Sequence, residues 1–251
     1  MAGDLVLSAL DGAVARLTLN DPDHANVLSE AMMTALADAL AAAAANPEVK
    51  VIVLAAAGRI FCAGHDLGEL RKDDDAAWHA ALFARCSQLM MAIVDCRAPV
   101  IARVQGAAVA AGCQLVASCD LAYAADTARF AVSGINLGLF CSTPGVALGR
   151  AVGRKAAAEM LLTGRFVSAA RAAELGLVNA AVPSAELDAA VDAAAAEIAS
   201  KPPEAIALGK AAFRRQMEAP LAEAYAIASR AMTENLGYDS AKTGIDAFRA
   251  R

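Results

Sequence analysis

The sequence has no excess of positive charge and few aromatic residues. Over 251 residues, 22 Lys and Arg stand against 27 Asp and Glu, which gives a net charge of −5, and aromatic residues make up 4%. Without a Lys or Arg cluster, neither nucleic acid nor an acidic membrane surface is expected as a partner. The 58% hydrophobic content is typical of a globular protein of one large or two modest domains, and it excludes a disordered or collagen-like chain.

Long apolar runs are also missing. No stretch reaches the 18 or more residues that a membrane-spanning helix needs, and we expect no membrane partner. Residues 1–20 carry Asp4 and Asp11, where a secretory signal peptide needs a basic start and an apolar centre. These observations predict a cytoplasmic protein.

The cysteines form no metal-binding or redox motif. None of the six belongs to a C-x-x-C pair or to a short Cys/His spacing, so no metal site is expected. A chain of this length can bury a sufficient core without disulfides. We predict reduced thiols, most of them buried. The six are Cys62, Cys86, Cys96, Cys113, Cys119 and Cys141.

Short strands alternate with helices over most of the chain, which indicates an α/β fold with parallel crossovers. Residues 5–19 predict a hairpin that turns at Asp11-Gly12, and Ser29 is the expected N-cap of a helix over 30–45. The other predicted strands are 49–55, 99–104, 121–124 and 129–132, and the other predicted helices are 76–94 and a segment ending at 118.

Only helices are predicted after residue 184, at 184–200, 203–217, 221–236 and 240–251. We therefore divide the chain into a core, 1–195, and a helical region, 196–251.

Two segments rich in Gly and Ala directly follow buried strands, at 61–67 and 105–114. Two turns of this kind that face each other could hold an oxygen that becomes negative during a reaction, because main-chain N–H groups at a helix start carry partial positive charge. Small residues suit close packing of a helix on a strand equally well. Spacing alone leaves both interpretations open.

These segments, with others, resemble the crotonase (enoyl-CoA hydratase/isomerase) superfamily, over nearly the whole chain. The resemblance is carried by Phe61-x-x-Gly64-x-Asp66-Leu67, the 106–114 segment followed by Cys119-Asp120, Leu137-Gly138 with Pro144-Gly145, Ala173-x-x-Gly176-Leu177-Val178 and Gly244-x-x-Ala247-Phe248.

The resemblance implies a spiral of ββα turns and a C-terminal helical region used for trimer formation, often in hexamers. It implies an acyl-CoA thioester as ligand and no separate cofactor, since coenzyme A is part of the substrate. The family's two oxyanion-hole N–H groups fall on His65 and Ala111. Its adenine and pantetheine contacts fall on His24, Ala25, Ala63 and Gly64, with Asp66 and Gly112 beside them, and its C-terminal phosphate-side cation falls on Arg251 next to Phe248.

The two glutamates that position water and transfer its proton in the family's hydratases have no counterpart here. The first falls on Gln114, which cannot exchange a proton near neutral pH, and the second on Gly134. Residues 130–149 contain no Asp, Glu, His, Lys, Arg or Tyr, and neither do residues 104–119. Each such group contributes roughly 10² to 10⁴ in rate, so we expect little hydration.

Few side chains remain to move a proton. His65 could act through its imidazole or only through its N–H, and Cys141 is a catalytic candidate or a packed thiol. Asp66 is expected to cap the following helical turn, and Glu69 to be solvated or to reach the acyl pocket. Asn136, Gln114 and Ser142 could orient a polar group of the substrate through uncharged hydrogen bonds.

Three functions stay open at this point. The first is an acyl-CoA-processing enzyme that stabilises a thioester enolate. The second is a decarboxylase of the methylmalonyl-CoA type, because loss of CO₂ gives an enolate without a base, although the tyrosine of that branch falls on Cys141. The third is a non-catalytic acyl-CoA-binding protein.

Overall fold

The computed structural model describes residues 4–72 and 75–250, which form two β-sheets surrounded by helices. The strands are β1 (Val6–Asp11), β2 (Val14–Leu19), β3 (Val51–Ala56), β4 (Ile60–Cys62), β5 (Val100–Val104), β6 (Ala107–Val109), β7 (Leu121–Ala125), β8 (Arg129–Ala131), β9 (Val167–Ser168) and β10 (Ala180–Val182). The helices are α1 (Glu30–Ala45), α2 (Leu67–Lys72), α3 (Ala76–Asp95), α4 (Ala111–Ser118), α5 (Ser142–Ala151), α6 (Arg154–Thr163), α7 (Ala169–Leu175), α8 (Leu187–Ala199), α9 (Pro203–Met217), α10 (Leu221–Leu236) and α11 (Asp239–Arg249).

Successive pairs of strands separate into the two sheets. The larger sheet has the order β1-β2-β3-β5-β7-β10 and the smaller one the order β4-β6-β8-β9. Thus β3, β5 and β7 enter the larger sheet, and the strand after each enters the smaller one, where β4, β6 and β8 run parallel. With a helix after each pair, this is the predicted spiral of ββα turns.

The local sequence accounts for the first elements. The hairpin β1–β2 turns at Gly12, whose φ of +55° suits glycine. The Ser29 side chain accepts a hydrogen bond from the N–H of Met32 at 3.1 Å and caps α1. All six side chains of β3 are buried, as expected of a parallel strand covered on both faces.

The core lies on both faces of the larger sheet. The main cluster fills the space between this sheet, the smaller sheet, α1 and α3. A second cluster on the opposite face packs Leu187 and Val191 of α8 against Val53 and Ile101. The predicted boundary after residue 195 therefore falls inside a helix that packs on the sheet.

The helix α9 is fixed to the core by a partly buried ion pair. The Lys210 ammonium lies 2.6 Å from Asp120 Oδ2 and also donates to the carbonyl of Ile93 at 3.2 Å. Burial raises the pKa of Asp120, and the Lys210 charge acts against this rise. Beyond α9, the chain continues into α10 and α11. No helix in the described part of the chain is long and apolar enough to cross a membrane.

Candidate active site

A cavity of about 360 Å³ lies where the turn after β4 meets the start of α4. Its wall contains four of the predicted site residues, Ala63, His65, Ala111 and Cys141. Much of the remaining wall is apolar and comes from α2, α3 and the segment before α5, including Leu67, Leu70, Phe83, Leu137, Leu139 and Phe140. The fold thus brings residues that are far apart in sequence into one site.

The N–H of His65 is free to meet a ligand. His65 pairs with Leu28 in an isolated parallel bridge, in which the N–H of Leu28 donates to the Gly64 carbonyl at 2.7 Å. Among the described residues, no hydrogen bond uses the N–H of His65 as donor. This N–H therefore needs water or a ligand as acceptor.

The second free N–H belongs to Ala111, the first residue of α4. The preceding Ala110 has φ 49° and ψ −116°, a conformation that is costly for a residue with a side chain and that is typical of functional sites. The N–H of Ala110 donates to the Ala131 carbonyl at 2.8 Å. The Ala110 carbonyl accepts from the N–H of Gln114 at 3.0 Å, and this is the first hydrogen bond of the helix. The N–H of Ala111, like others in a first helical turn, has no partner within its helix.

These two turns are in contact through Gly64. A Cβ at this position would lie 3.0 Å from the Ala110 Cβ and 3.3 Å from the Ala111 nitrogen, and its φ is +96°. Only glycine fits here without strain. His65 and Ala111, whose N–H groups are free, consequently belong to adjacent turns, and both residues line the same cavity.

The imidazole of His65 is held inside the cavity wall. Its Nδ1 lies 3.4 Å from the Leu28 carbonyl, and its ring meets Phe83 edge-on with centroids 5.5 Å apart. Its Nε2 is buried and has no hydrogen-bond partner. Burial lowers the pKa of His65. We assign the neutral tautomer with the proton on Nδ1, because an unpaired acceptor costs less than a buried charge.

Gly134, where the resemblance places the second hydratase glutamate, has no room for a side chain. Gly134 lines the cavity, but a Cβ on it would lie 2.3 Å from the Leu139 carbonyl oxygen and 2.8 Å from Cys141 Sγ. The N–H of Gly134 donates to this sulfur at 3.3 Å. Burial raises the pKa of the Cys141 thiol, and the Gly134 N–H acts in the opposite direction.

Gln114, where the resemblance places the first hydratase glutamate, does not line the cavity. Gln114 is buried, and its Oε1 lies 4.0 Å from the Cys86 sulfur on α3. The nearby acids are also engaged elsewhere. Asp66 caps α2, as predicted, by accepting from the N–H of Gly68 at 2.7 Å, and the Glu69 carboxylate accepts from the N–H of Glu30 at 3.0 Å. Glu69 does not reach the cavity.

Two further predicted residues lie beside the turn that carries His65. The Ala25 carbonyl accepts a hydrogen bond from the N–H of Ala63 at 3.1 Å. His24 is exposed, with Nδ1 at 2.8 Å from Asp21 Oδ1. The Asp21 carboxylate raises the pKa of His24, and Asp66 adds to the rise. The segment around His24 is therefore close to the cavity.

The remaining predicted contacts are not brought to the cavity. The Asn136 amide donates to the Gly164 carbonyl at 3.4 Å, and a Cβ on Gly112 would lie 2.2 Å from the Cys62 carbonyl oxygen. Phe248 is exposed on α11. Arg251 lies outside the described residues. Asn136 and Gly112 thus hold the backbone together, where the sequence had suggested contact with substrate.

Sequence reasoning missed two hydroxyl groups in the cavity wall, those of Ser133 and Thr143. Thr143 lies in the first turn of α5, directly before Pro144. Proline is common in the first turn of a helix, so Pro144 was a usable signal for a helix start at this point.

A larger groove of about 870 Å³ lies between α4, β7 and α9. Its charged side chains pair with neighbours, as in the contacts of Lys210 with Asp120 at 2.6 Å and of Arg214 with Asp95 at 2.7 Å. Because its charges are already neutralised, we place the active site in the smaller cavity. No group of three or more metal-ligating side chains occurs within residues 4–72 and 75–250.

A side chain at position 134 should disturb the cavity wall. We expect Gly134→Ala to lower the free energy of unfolding by about 1–3 kcal/mol, because the backbone carbonyl of Leu139 must move. The control is Gly149→Ala on α5, where a Cβ meets nothing within 4 Å and a gain of about 0.5–1 kcal/mol is expected. Urea unfolding of both variants checks this, and equal stabilities would contradict the close contact.

The buried neutral imidazole should make stability depend on pH. Since the folded-state pKa of His65 is below its ordinary value of 6.5, the unfolded state binds the proton first on acidification. The stability contributed by the neutral form is fully present above the ordinary value of 6.5 and is lost as pH falls from there to the lower folded-state pKa of His65. The variant His65→Gln has no imidazole to titrate, so this part of the dependence of unfolding free energy on pH should disappear. Unfolding of both proteins between about pH 7.5 and about pH 5.5 measures the difference, and parallel curves would refute the assignment.

Known proteins resemble this chain over most of its length. The sequence profile of the family described as "Enoyl-CoA hydratase/isomerase" matches residues 10–251. The human protein named "Enoyl-CoA hydratase domain-containing protein 3, mitochondrial" is 46% identical over 239 residues, which cover 95% of this chain and 78% of the human protein.

Two crystal structures have nearly the same fold. A Mycobacterium smegmatis structure described as an enoyl-CoA hydratase superposes with a TM-score of 0.96 at 54% identity, covering 98% of this chain and 96% of the other. The human enoyl-CoA hydratase domain-containing protein 3 superposes with a TM-score of 0.95 at 44% identity, covering 98% and 97%.

The comparisons contradict one prediction and settle the family. Relatives from mouse, rat and human carry the word mitochondrial in their names, so the predicted cytoplasmic location is wrong. It depended on charge and apolar content, which do not determine a compartment. The fold and the match over residues 10–251 agree with the resemblance found in the sequence, and the chain belongs to the enoyl-CoA hydratase/isomerase family of the crotonase superfamily.

Proposed function

We propose that this protein is an enzyme that binds an acyl-CoA thioester and stabilises its enolate in an oxyanion hole. The observation that supports this most directly is the pair of free N–H groups, on His65 and Ala111, in the wall of one cavity. Two main-chain donors without partners would be costly if they had no oxygen to bind. A thioester carbonyl between them fits both donors.

The fold strengthens the hydrogen bonds that these N–H groups can donate to an oxyanion. Ala111 begins α4, so the partial positive charge of the helix N-terminus adds to its N–H. The surrounding wall is largely apolar, and electrostatic interactions are stronger where water is excluded. The loss of one such donor typically costs about 3 kcal/mol, or 10² to 10³ in rate.

Hydration of an enoyl-CoA is the reaction that this site supports least. Positions 114 and 134 provide no carboxylate, and neither Asp66 nor Glu69 reaches the cavity. If their effects multiply, the absence of two acid/base groups lowers the hydration rate by a factor of roughly 10⁴ to 10⁸. We infer a lyase or isomerase of the family whose chemistry needs enolate stabilisation and no carboxylate.

Coenzyme A would enter as part of the substrate, with no other cofactor. The segment of His24 and Ala25, hydrogen-bonded to Ala63 next to Gly64, is our candidate for its adenine and pantetheine contacts. Contact of Phe248 and Arg251 with the phosphate side of coenzyme A remains an expectation from the family resemblance. Acyl-CoA binding without catalysis is the remaining alternative, and an inactive but ligand-binding protein in the following experiment would support it.

We expect crotonyl-CoA to bind and to be hydrated far more slowly than the roughly 10 per second of an average enzyme. Isothermal titration measures the binding, and mass spectrometry of the products measures the turnover. The variant Ala63→Phe, which adds a ring to the cavity wall, should lose binding. Hydration at ordinary enzymatic rates would show that a proton-transfer group has been misplaced.

We also propose that the chain forms a homotrimer or a hexamer through its C-terminal helices. Large apolar side chains on α9–α11 are exposed in the single chain, namely Phe213, Met217, Leu221, Tyr225, Met232, Leu236, Ile245 and Phe248. A monomeric protein rarely exposes so much apolar surface in one region. Burial of this surface between copies would account for it.

Light scattering after size exclusion should therefore give a mass of three or six times 25.5 kDa. The double variant Tyr225→Lys with Met232→Lys should lower this mass, because two buried charges per subunit oppose association. A single species of 25.5 kDa for the unmodified chain at all concentrations would reject the proposal.

A further inference from the structure

Asn26 is a fully buried polar residue that lies outside the wall of the active-site cavity. Its Nδ2 donates hydrogen bonds to the carbonyls of Ala57 at 2.9 Å and Ile60 at 2.8 Å. Its Oδ1 accepts a hydrogen bond from the N–H of Asp21 at 2.9 Å. Because buried polar groups are costly to leave unpaired, this amide fastens the β3–β4 loop, residues 57–59, to the chain before α1.

The backbone bends sharply at Asn26 and brings the preceding residue against the turn after β4. Ala25 and Asn26 both have a positive φ, of 55° and 51°, which costs free energy for residues with a side chain. Asparagine tolerates this conformation better than most residues, and the N–H of Asn26 donates to the Asp21 carbonyl at 2.9 Å. The bend allows the Ala25 carbonyl to accept from the N–H of Ala63 at 3.1 Å.

The chain that follows Asn26 fixes the direction of the His65 N–H. The N–H of Leu28 donates to the Gly64 carbonyl at 2.7 Å. No peptide bond in the described part of the chain is cis, and in a planar trans peptide the C=O and N–H groups point in opposite directions. The N–H of His65 therefore points away from Leu28, and its direction depends on where Leu28 is held.

The loop that Asn26 holds also supports the chain that leads to Ala111. The Ile60 carbonyl, which accepts from Asn26, also accepts from Gln105 Nε2 at 3.3 Å. A Cβ on the next residue, Gly106, would lie 1.9 Å from a carbonyl oxygen of the loop. The β3–β4 loop is thus in contact with both segments that present a free N–H to the cavity.

We propose that Asn26 is a positioning residue of this site, and the proposal rests on the function proposed above. Through Leu28 and the β3–β4 loop, Asn26 sets the direction of the His65 N–H and its distance from the Ala111 N–H. It acts only through the main chain. Because misplacement of a group by about 1 Å can cost roughly 10²-fold in rate, the loss of its amide should weaken the oxyanion hole.

Two variants remove the amide and keep a residue that tolerates the bend. Asn26→Gly removes every side-chain hydrogen bond and suits a positive φ. Asn26→Asp keeps the acceptor for the Asp21 N–H and loses both N–H donors. The matched control is Asn179→Gly, which removes an asparagine that accepts from the N–H of Ala122 at 2.8 Å and lies outside the cavity.

Hydrogen exchange of the ligand-free full chain, measured by mass spectrometry, tests whether Asn26 holds the turn. In both Asn26 variants, exchange at residues 25–28 and 61–65 should increase by at least about tenfold more than exchange at β5 and β7. The Asn179→Gly control should not single out these two segments. An equal increase throughout the chain, or no increase at these segments, would overturn the proposal.

Infrared spectroscopy of bound butyryl-CoA tests the positioning itself. With a heavy-carbon label in the thioester carbonyl, hydrogen bonds from the two N–H groups should lower its stretching frequency below the value in water. In both Asn26 variants the band should return by roughly half or more, because hydrogen bonds weaken steeply as a donor leaves its line. The affinity should fall by about two- to tenfold. Asn179→Gly should change neither the band nor the affinity.

The possible results separate this inference from the proposed function. If the unmodified chain does not bind butyryl-CoA, or binds it without lowering the carbonyl frequency, the proposed function fails and this inference fails with it. If the frequency is lowered equally in the unmodified chain and in both Asn26 variants, the oxyanion hole stands and the positioning role of Asn26 is overturned. An equal return of the band in Asn179→Gly would also overturn it, since this would indicate a general loosening of the chain.

Discussion

The site depends on the close contact between the backbone of and around β4 and the backbone around β6 and α4. Three glycines show how close this contact is: a Cβ would lie 1.9 Å from the Arg59 carbonyl oxygen at Gly106, 2.2 Å from that of Cys62 at Gly112 and 3.3 Å from the Ala111 nitrogen at Gly64. Because no side chain separates these segments, two turns can present their N–H groups to one cavity. The strain at Ala110 is tolerated because this contact and its hydrogen bonds fix the turn.

Around this contact, the side chains with acid or base chemistry mostly serve the structure. Asp66 caps α2, Glu69 caps α1, and the His65 imidazole is anchored near Leu28. The groups left to face a ligand are main-chain N–H groups, hydroxyls and one thiol. A site of this kind can stabilise charge that develops on an oxygen, and it is poor at removing a proton from an unactivated carbon.

The sequence predicted the elements whose signals are local. The helix α1 begins and ends at the predicted residues because Ser29 caps it, and the hairpin turns at Gly12 as expected. The strands β4 and β6 have three residues each and are too short to show an alternation of apolar and polar residues. The positive φ of Ala110 has no signature in the sequence. The motif match predicted that His65 and Ala111 lie together, and both line one cavity. The contacts of Gln114 with α3 and of Asn136 with Gly164 depend on tertiary structure and have no local signal.

The packing of Leu139 and Cys141 against Gly134 limits which residues position 134 can accept. A mutation that gives residue 134 a carboxylate meets the Leu139 carbonyl and the Cys141 sulfur before it can gain an activity. A carboxylate at position 134 therefore also requires the loop that holds Leu139 and Cys141 to move. The side chain at position 134 and the conformation of this loop are thus coupled, and neither can change without the other.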